Sequence, residues 1–155
     1  MAELERFVEA QDAGSMFETA LAEIRAGAKT SHWIWFVFPQ LAGLGASPTS
    51  RFYALADRDE AERYLRHPVL GPRLVTITAA VVDGLRAGQR LDRLMGSPID
   101  AAKLVSSMTL FAYVAPHDQA SEAGAALAPL AREALDIARA QGFTECDFTV
   151  ARLGT

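Results

Sequence analysis

The chain has 155 residues, of which 50% are hydrophobic and 22% are charged, and this composition fits one folded globular domain over residues 1–155. The net charge is −4 and acidic and basic residues are mixed along the chain, so it lacks the basic stripe that duplex nucleic acid requires. A single cysteine excludes an internal disulfide, and the longest apolar run, residues 33–38, is too short to cross a bilayer, so we expect a cytoplasmic protein without membrane contact.

The first clear helix signal is the Ser15-x-x-Glu18 pattern, which is typical of a capping box at a helix N-terminus. Apolar residues then recur with helical spacing at positions 17, 20, 21 and 24. Gly27 follows this stripe and predicts the end of the helix, because glycine readily adopts the left-handed conformation found there.

Residues 31–38, S-H-W-I-W-F-V-F, form the most apolar segment, and Pro39 follows it. Aromatic and β-branched side chains favour a strand. No other run in the chain is typical of a strand, however, and a lone buried strand would leave its backbone groups without hydrogen bonds. We therefore predict a central helix over residues 31–38, apolar on nearly all sides, that ends at Pro39.

Two helix starts follow. Ser47-Pro48 combines an N-cap residue with proline at the first helical position, where the missing N–H group costs nothing. Asp57 with Glu60 repeats the capping-box pattern, and apolar residues at positions 61, 64 and 65 supply a buried face.

His67-Pro68 predicts the end of that helix and the beginning of another, with Pro72 in the first turn of the new helix. The clearest helical stripe of the chain then follows, at positions 70, 74, 77, 81, 82 and 85. Gly88 predicts where this helix ends.

Ser97-Pro98-Ile99-Asp100 indicates a further helix start, with apolar residues stacked at positions 104, 108 and 111. An alanine-rich helix is predicted from about Gln119 to Ala140, with a stripe at positions 127, 130, 131, 134, 135 and 138, and a short last helix within residues 143–153. The expected fold is all-α: a compact multihelical single domain whose buried central helices are wrapped by amphipathic helices.

Three blocks of sequence carry a resemblance to a known family. They are residues 31–40 (S-H-W-I-W-F-V-F-P-Q) with Gly43-Leu44-Gly45 after them, residues 67–74 (H-P-V-L-G-P-R-L), and residues 106–111 (S-S-M-T-L-F) preceded by Gly96-Ser97-Pro98, Asp100 and Lys103. Phe7 and Gln11 also fit. In this order the blocks resemble the signature of bacterial domain-of-unknown-function family 1810, whose members sometimes carry the label calpastatin without physical support for calpain inhibition.

This resemblance covers nearly the whole chain and is weakest over the alanine-rich C-terminal third. It implies an all-helical fold in which other helices wrap buried central ones. It implies no catalytic residues, because the family has none established.

Six residues are candidates for ligand binding: His32, Trp33, Gln40, His67, Arg73 and Lys103. Helix starts near residues 47, 68 and 98 present free backbone N–H groups, which attract anions. Arg73 and Lys103, with Arg51 as a further candidate, supply charge for a phosphate or carboxylate. We therefore predict a pocket for an anionic, nucleotide-like small molecule where the segment around residues 40–43 meets the helix starts at residues 67 and 97.

Several of these residues also have structural explanations. Trp33 and Trp35 fit a packed core, since residues two apart on a helix point to different sides. Gln40 can satisfy the last carbonyls of the preceding helix. His67 and Ser97 can act only as caps, with the cations on solvated faces.

The three histidines, His32, His67 and His117, lack the spacing of metal ligands. A hydrogen-bonded structural role explains His32 as well as a catalytic one. No metal site and no cofactor are therefore predicted.

Two other classes of function stay open. The residues His67-Pro68-x-Leu70, Arg73-Leu74 and Gly96-Ser97-Pro98-x-Asp100 are also similar to the NADAR (NAD and ADP-ribose) superfamily, which would give His67 or Asp100 a role in glycosidic cleavage. Alternatively, the alanine-rich stripe forms a dimer face in an interaction module that binds no small ligand. The sequence is compatible with a monomer or a homodimer.

Overall fold

The computed structural model describes residues 4–117 and 121–153, and within them the chain forms helices and no strand. This confirms the all-α prediction. The helices are α1 (Glu5–Asp12), α2 (Met16–Ala26), α3 (Ile34–Val37), α4 (Pro48–Phe52), α5 (Arg58–Arg66), α6 (Leu70–Arg86), α7 (Leu91–Leu94), α8 (Pro98–Val114), α9 (Glu122–Ala140) and α10 (Asp147–Leu153), with 3-10 turns at Ala13–Ser15 and Ala115–His117. The predicted helix start near Gln119 lies outside the described residues.

The central helix is α8. Every residue from Leu104 to Ala112 is buried, so this helix is covered on all sides over more than two turns. Helices α3, α5, α7, α9 and α10 all pack against it. The expected arrangement, a buried central helix wrapped by amphipathic helices, is confirmed, but the central position belongs to α8 and not to residues 31–38.

The alanine-rich stripe of α9 lies in the core. Leu127, Ala131, Ala134, Leu135 and Ala138 are buried where α9 packs against both α6 and α8. Small side chains permit this close approach. Five of the six residues of the predicted stripe are thus buried within the chain itself, and the sixth, Leu130, is half-buried.

The prediction of a helix over residues 31–38 was wrong for most of the segment. Only Ile34–Val37 form a helical turn, and Trp33, which precedes it, has a non-helical backbone. The reason is tertiary: the Glu23 carboxylate accepts hydrogen bonds from the Ser31 N–H group and the Trp33 indole before this turn. Beyond Pro39 the chain pairs with Leu55, from Ala42 N–H to Leu55 O and from Leu55 N–H to Gln40 O, and the sequence reveals neither partner.

The predicted caps at Ser47, Asp57 and Ser97 are confirmed, since each side chain accepts a hydrogen bond from the backbone N–H group three residues later. The cap predicted at Ser15 was wrong. Ser15 has a left-handed backbone with φ 56° and its side chain makes no capping bond. The left-handed backbone of Ser15 follows that of Gly14, which has φ 59°, at the end of the 3-10 turn before α2.

Helices α5 and α6 meet at a sharp corner of 89°. His67 Nδ1 accepts hydrogen bonds from the N–H groups of Val69 and Leu70, and Pro72 lies in the first turn of α6 as predicted. No single described helix is long and apolar enough to cross a membrane; α5 and α6 reach the necessary length only together, across this bend.

The Glu23 carboxylate anchors the loop between α2 and α3. It accepts hydrogen bonds from the backbone N–H groups and the hydroxyls of Thr30 and Ser31, and from Trp33 Nε1 at 2.9 Å. Burial alone would raise the pKa of Glu23, but the hydrogen bonds from Ser31, Thr30 and Trp33 outweigh it and lower the pKa to about 2. One side chain thus seats Trp33, which is fully buried, against the core.

Replacing Glu23 by glutamine, an isosteric neutral side chain, should lower the free energy of unfolding by about 1–2 kcal/mol at pH 7, because charge-assisted hydrogen bonds are lost. Since the folded pKa lies below the ordinary value of 4.5, the contribution of Glu23 is fully present above pH 4.5 and is lost as the pH falls toward 2. Urea unfolding of both proteins across pH 3–7 measures this. A difference that stays constant with pH would contradict it.

A substitution at Gly71 tests how closely the chain packs at the corner between α5 and α6. A Cβ at this position would lie 2.2 Å from the backbone oxygen of Leu65, so Gly71→Ala should lower the free energy of unfolding by about 1–3 kcal/mol. The matched control is Gly84→Ala in the same helix. A Cβ there meets the flexible end of Gln89 and makes an ordinary contact of 3.5 Å with Leu94, and the substitution gains up to about 1 kcal/mol of helix propensity. Equal effects of the two substitutions in chemical denaturation would contradict the role of the corner.

Candidate functional site: a groove beneath Lys103

A groove of about 540 Å³ lies between α8, the segment that joins α3 to α4, and Cys146. The polar and aromatic residues that line it are Trp35, Gln40, Ser47, Ser50, Lys103, Ser106 and Cys146. A smaller pocket of about 130 Å³ adjoins it, shares Trp35, Gln40 and Ser50, and adds Arg51 and Tyr53. We call the two together the Lys103 groove.

Lys103 projects over an aromatic face in this groove. Its Nζ lies 4.5 Å from the ring centroid of half-buried Trp35, within the range of a cation–π interaction. The same Nζ lies 3.5 Å from Asp100 Oδ1, one turn earlier on α8. These contacts hold the ammonium group at the edge of the groove and leave about a quarter of the side chain exposed.

Asp100 is shared between two lysines. Lys29, whose side chain is 4% exposed, places its Nζ 2.7 Å from Asp100 Oδ2 and also donates to Ser31 O. A buried ammonium group needs such an anion. Because Lys29 takes most of the attraction of Asp100, the charge of Lys103 is only partly compensated.

Gln40 and Arg51 complete the polar part of the groove. Gln40 Nε2 donates to Lys103 O at 3.3 Å, and its amide oxygen accepts no hydrogen bond within the described part of the chain. Arg51 is exposed, and its guanidinium group makes no ion pair with residues 4–117 or 121–153. Together with Lys103, these residues offer one amide acceptor and two cations to a bound molecule.

Ser106 lies deep in the groove. It is 4% exposed, and its Oγ has no hydrogen-bond partner among the described residues. Ile99, Ala102, Lys103 and Ser106 line the groove together, because residues spaced by three and four share one face of a helix. A buried hydroxyl without a partner is costly, so this position favours a bound group that pairs with it.

The structure places the six predicted site residues in different regions. Gln40 and Lys103 meet in the groove. Trp33 is fully buried and contacts Lys29, whereas His32 is exposed and does not line the groove.

Arg73 and His67 belong to contacts elsewhere. Arg73 binds Asp12 at 2.7 Å and Gln11 at 3.2 Å. Gln11 also donates to Tyr64 Oη, and burial raises the pKa of that phenol above its ordinary value, so it remains neutral. His67 caps α6 and lies 3.5 Å from Glu5. The expected convergence of the starts of α6 and α8 on one pocket is not found in these contacts.

Ser106 and Cys146 are groove residues that the sequence did not single out as ligand-binding. Trp35, which the sequence analysis interpreted as a core residue, is half-buried and lines the groove. The sequence did contain one indication for Ser106. It follows Lys103 by one helical turn and therefore lies on the same face of α8, where the other lining residues, Ile99 and Ala102, are apolar. Cys146 follows α9 in a separate segment, and only the folded chain brings it to this place.

Metal binding finds no support in the described residues. No group of three or more His, Cys, Asp or Glu side chains within residues 4–117 and 121–153 is arranged to hold a metal ion.

The two lysines that contact Asp100 should differ in their effect on stability. Lys29→Met removes the partner of a buried ion pair and should lower the free energy of unfolding by about 3 kcal/mol. Lys103→Met removes a partly exposed cation that lies at the longer distance from Asp100, and it should lower the free energy of unfolding by less than about 1 kcal/mol. Guanidinium denaturation of both variants gives the comparison, and a larger loss at Lys103 would contradict the described roles.

Comparisons with known proteins agree with this structure. The model of the family described as "Protein of unknown function (DUF1810)" matches residues 1–129, a range that includes every lining residue named above except Cys146. The conserved hypothetical protein Rv1873 from Mycobacterium tuberculosis, whose crystal structure is known, is 40% identical in sequence to this chain. The two structures align with a TM-score of 0.79 over 99% of this chain and 97% of that chain. No curated protein matches. Both findings confirm the resemblance drawn from the sequence, and the chain belongs to the DUF1810 family.

Proposed function

We propose that the Lys103 groove binds a small anionic molecule with a flat, partly apolar body, of the nucleotide class. The observation that carries this proposal is the position of Lys103 Nζ, 4.5 Å above the ring of Trp35 at the edge of the groove. The ammonium group suits a negative charge on the ligand, and Trp35, which lines both pockets, adds an aromatic wall against which a planar ring can pack.

The balance of charge around the groove supports an anion. Lys29 and Lys103 share the single carboxylate of Asp100, which leaves about one positive charge, and Arg51 adds a second. Hydrogen bonds between charged groups contribute about 1.5–3 kcal/mol each. Two such contacts favour a ligand that carries a phosphate or two carboxylates over a neutral one.

The walls of the groove support a planar or apolar body. Ile99 is 69% exposed although it is a large apolar side chain, and it lines the groove together with Ala102 and Leu44. A ligand that covers these side chains would remove apolar surface from water, at roughly 25 cal/mol per Å². The free amide oxygen of Gln40 would accept a hydrogen bond from an N–H group such as that of a nucleobase.

Glycosidic cleavage at His67 or Asp100 has less support. Both ring nitrogens of His67 have partners, at the start of α6 and in Glu5, and both carboxylate oxygens of Asp100 face lysines. A general acid in such a reaction needs a raised pKa in an apolar site. These contacts favour structural roles for both residues.

The test is thermal unfolding of the purified protein with ADP, ATP, NAD and ADP-ribose, followed by titration calorimetry for the nucleotide with the largest shift. A ligand at one hundred times its Kd should add about 2.7 kcal/mol of stability. Arg51→Gln should weaken binding about tenfold or more, because one charge-assisted contact is lost.

The matched control for that variant is Arg25→Gln. Arg25 is an exposed arginine on α2 that is likewise without an ion pair in the described residues, and it lies outside the groove. Its removal changes the net charge by the same amount and should leave the Kd unchanged. Equal weakening by both substitutions would show non-specific attraction of anions, and no thermal shift with any of the four compounds would remove the proposal.

A further inference from the structure

Cys146, the one cysteine of the chain, lies in the Lys103 groove. It is partly exposed and forms no disulfide. Its backbone N–H group donates to Thr109 Oγ1 at 3.2 Å, and the Thr109 hydroxyl in turn donates to Val105 O. This chain of hydrogen bonds holds Cys146 beside α8, within one turn of Ser106.

The second observation is the hydroxyl of Ser106. Its oxygen is buried and pairs with no described residue, and Ser106 is one of the residues that line the same groove as Cys146. Ser107, the next residue, is also buried and unpaired, but it does not line the groove. A group attached to Cys146 would therefore find a free hydrogen-bonding partner at Ser106 and none at Ser107.

The charges near the thiol favour an acidic reagent. Lys103 lines the groove with it, and Glu145, the preceding residue, is already compensated by Arg132 at 2.7 Å and Arg139 at 3.8 Å. Exposed Asp147 is the remaining acidic neighbour in sequence, and it does not line the groove. A carboxylate that enters beside Cys146 thus meets the ammonium group of Lys103.

From these positions we propose that Cys146 is a thiol-modification site that forms a mixed disulfide with a small, carboxylate-bearing disulfide. The Cys146 thiol loses its proton to water, and the thiolate attacks one sulfur of the reagent. A new S–S bond forms to Cys146 Sγ while the S–S bond of the reagent breaks. The other half of the reagent leaves as a thiolate and takes up a proton, so Cys146 is oxidised and the leaving thiol is reduced.

The attached group would lie in the groove, with a carboxylate near Lys103 and a carbonyl oxygen near the Ser106 hydroxyl. It would occupy the space that the proposed function assigns to a nucleotide. The modification does not depend on nucleotide binding, however, because it requires only the thiol, the hydroxyl and the ammonium group.

The experiment compares two disulfides on the reduced, full-length protein. Oxidised glutathione is acidic and bis(2-hydroxyethyl) disulfide is neutral, and intact-protein mass spectrometry gives the rate of adduct formation with each. Lys103→Gln should slow the reaction with oxidised glutathione about threefold to tenfold and leave the neutral reaction unchanged, since one attractive charge is removed. Added salt should slow only the reaction with oxidised glutathione.

Two pairs of variants sharpen the comparison. Ser106→Ala should slow the reaction with oxidised glutathione, or destabilise its adduct toward reducing agent, by about threefold, whereas Ser107→Ala should not. Arg25→Gln matches Lys103→Gln in net charge and should behave like the wild type. Thermal unfolding of each variant without reagent confirms that the fold is kept.

Equal effects of Lys103→Gln on both disulfides, or adduct formation only after unfolding in urea, would overturn the proposal. The two proposals for this groove fail separately. If oxidised glutathione modifies Cys146 selectively but no nucleotide raises the unfolding temperature, the modification site is supported and the nucleotide site is rejected. If a nucleotide binds but the modification is not selective, the nucleotide site is supported and the modification site is rejected.

Discussion

The Glu23 carboxylate is the interaction on which the groove side of the molecule depends. By accepting hydrogen bonds from Thr30, Ser31 and Trp33, it fixes the loop between α2 and α3 and seats the Trp33 indole in the core. The same loop carries Lys29 to Asp100 at the start of α8. Only with the loop in this position does the chain emerge at Trp35 and Gln40 opposite Lys103. A set of local hydrogen bonds in one part of the fold thus determines the geometry of a surface elsewhere.

Local patterns explain why most of the helices could be predicted. Caps such as Ser47 and Ser97 depend on backbone groups three residues away, and the stripe of α6 records which face is buried. Residues 31–38 follow a different rule. Their course is set by Glu23, which lies outside the segment, and the chain that follows them pairs with Leu55; no spacing within the segment contains that information.

The same distinction applies to the candidate site. Lys103 and Gln40 could be identified from the sequence as polar residues next to helix boundaries, and the fold does bring them together. Arg73 and His67 fitted the same criterion, yet Arg73 ties α6 to α1 and His67 caps the corner before α6. The type and position of a residue are enough to make it a candidate for ligand binding. Whether a neighbour such as Asp12 already forms an ion pair with it depends on how the helices pack, which the sequence does not show.

The wall of the groove that contains Cys146 comes from the segment between α9 and α10, beyond the 129 residues that match the family model. Phe148 of α10 also covers Gly43, where no larger residue fits without displacing the ring. The groove is therefore assembled from two parts of the chain, only one of which the family model matches. Exchanging residues 143–153 for those of another family member would reshape one wall while α8 and its lysine stay in place, which makes this short segment a practical handle for engineering selectivity.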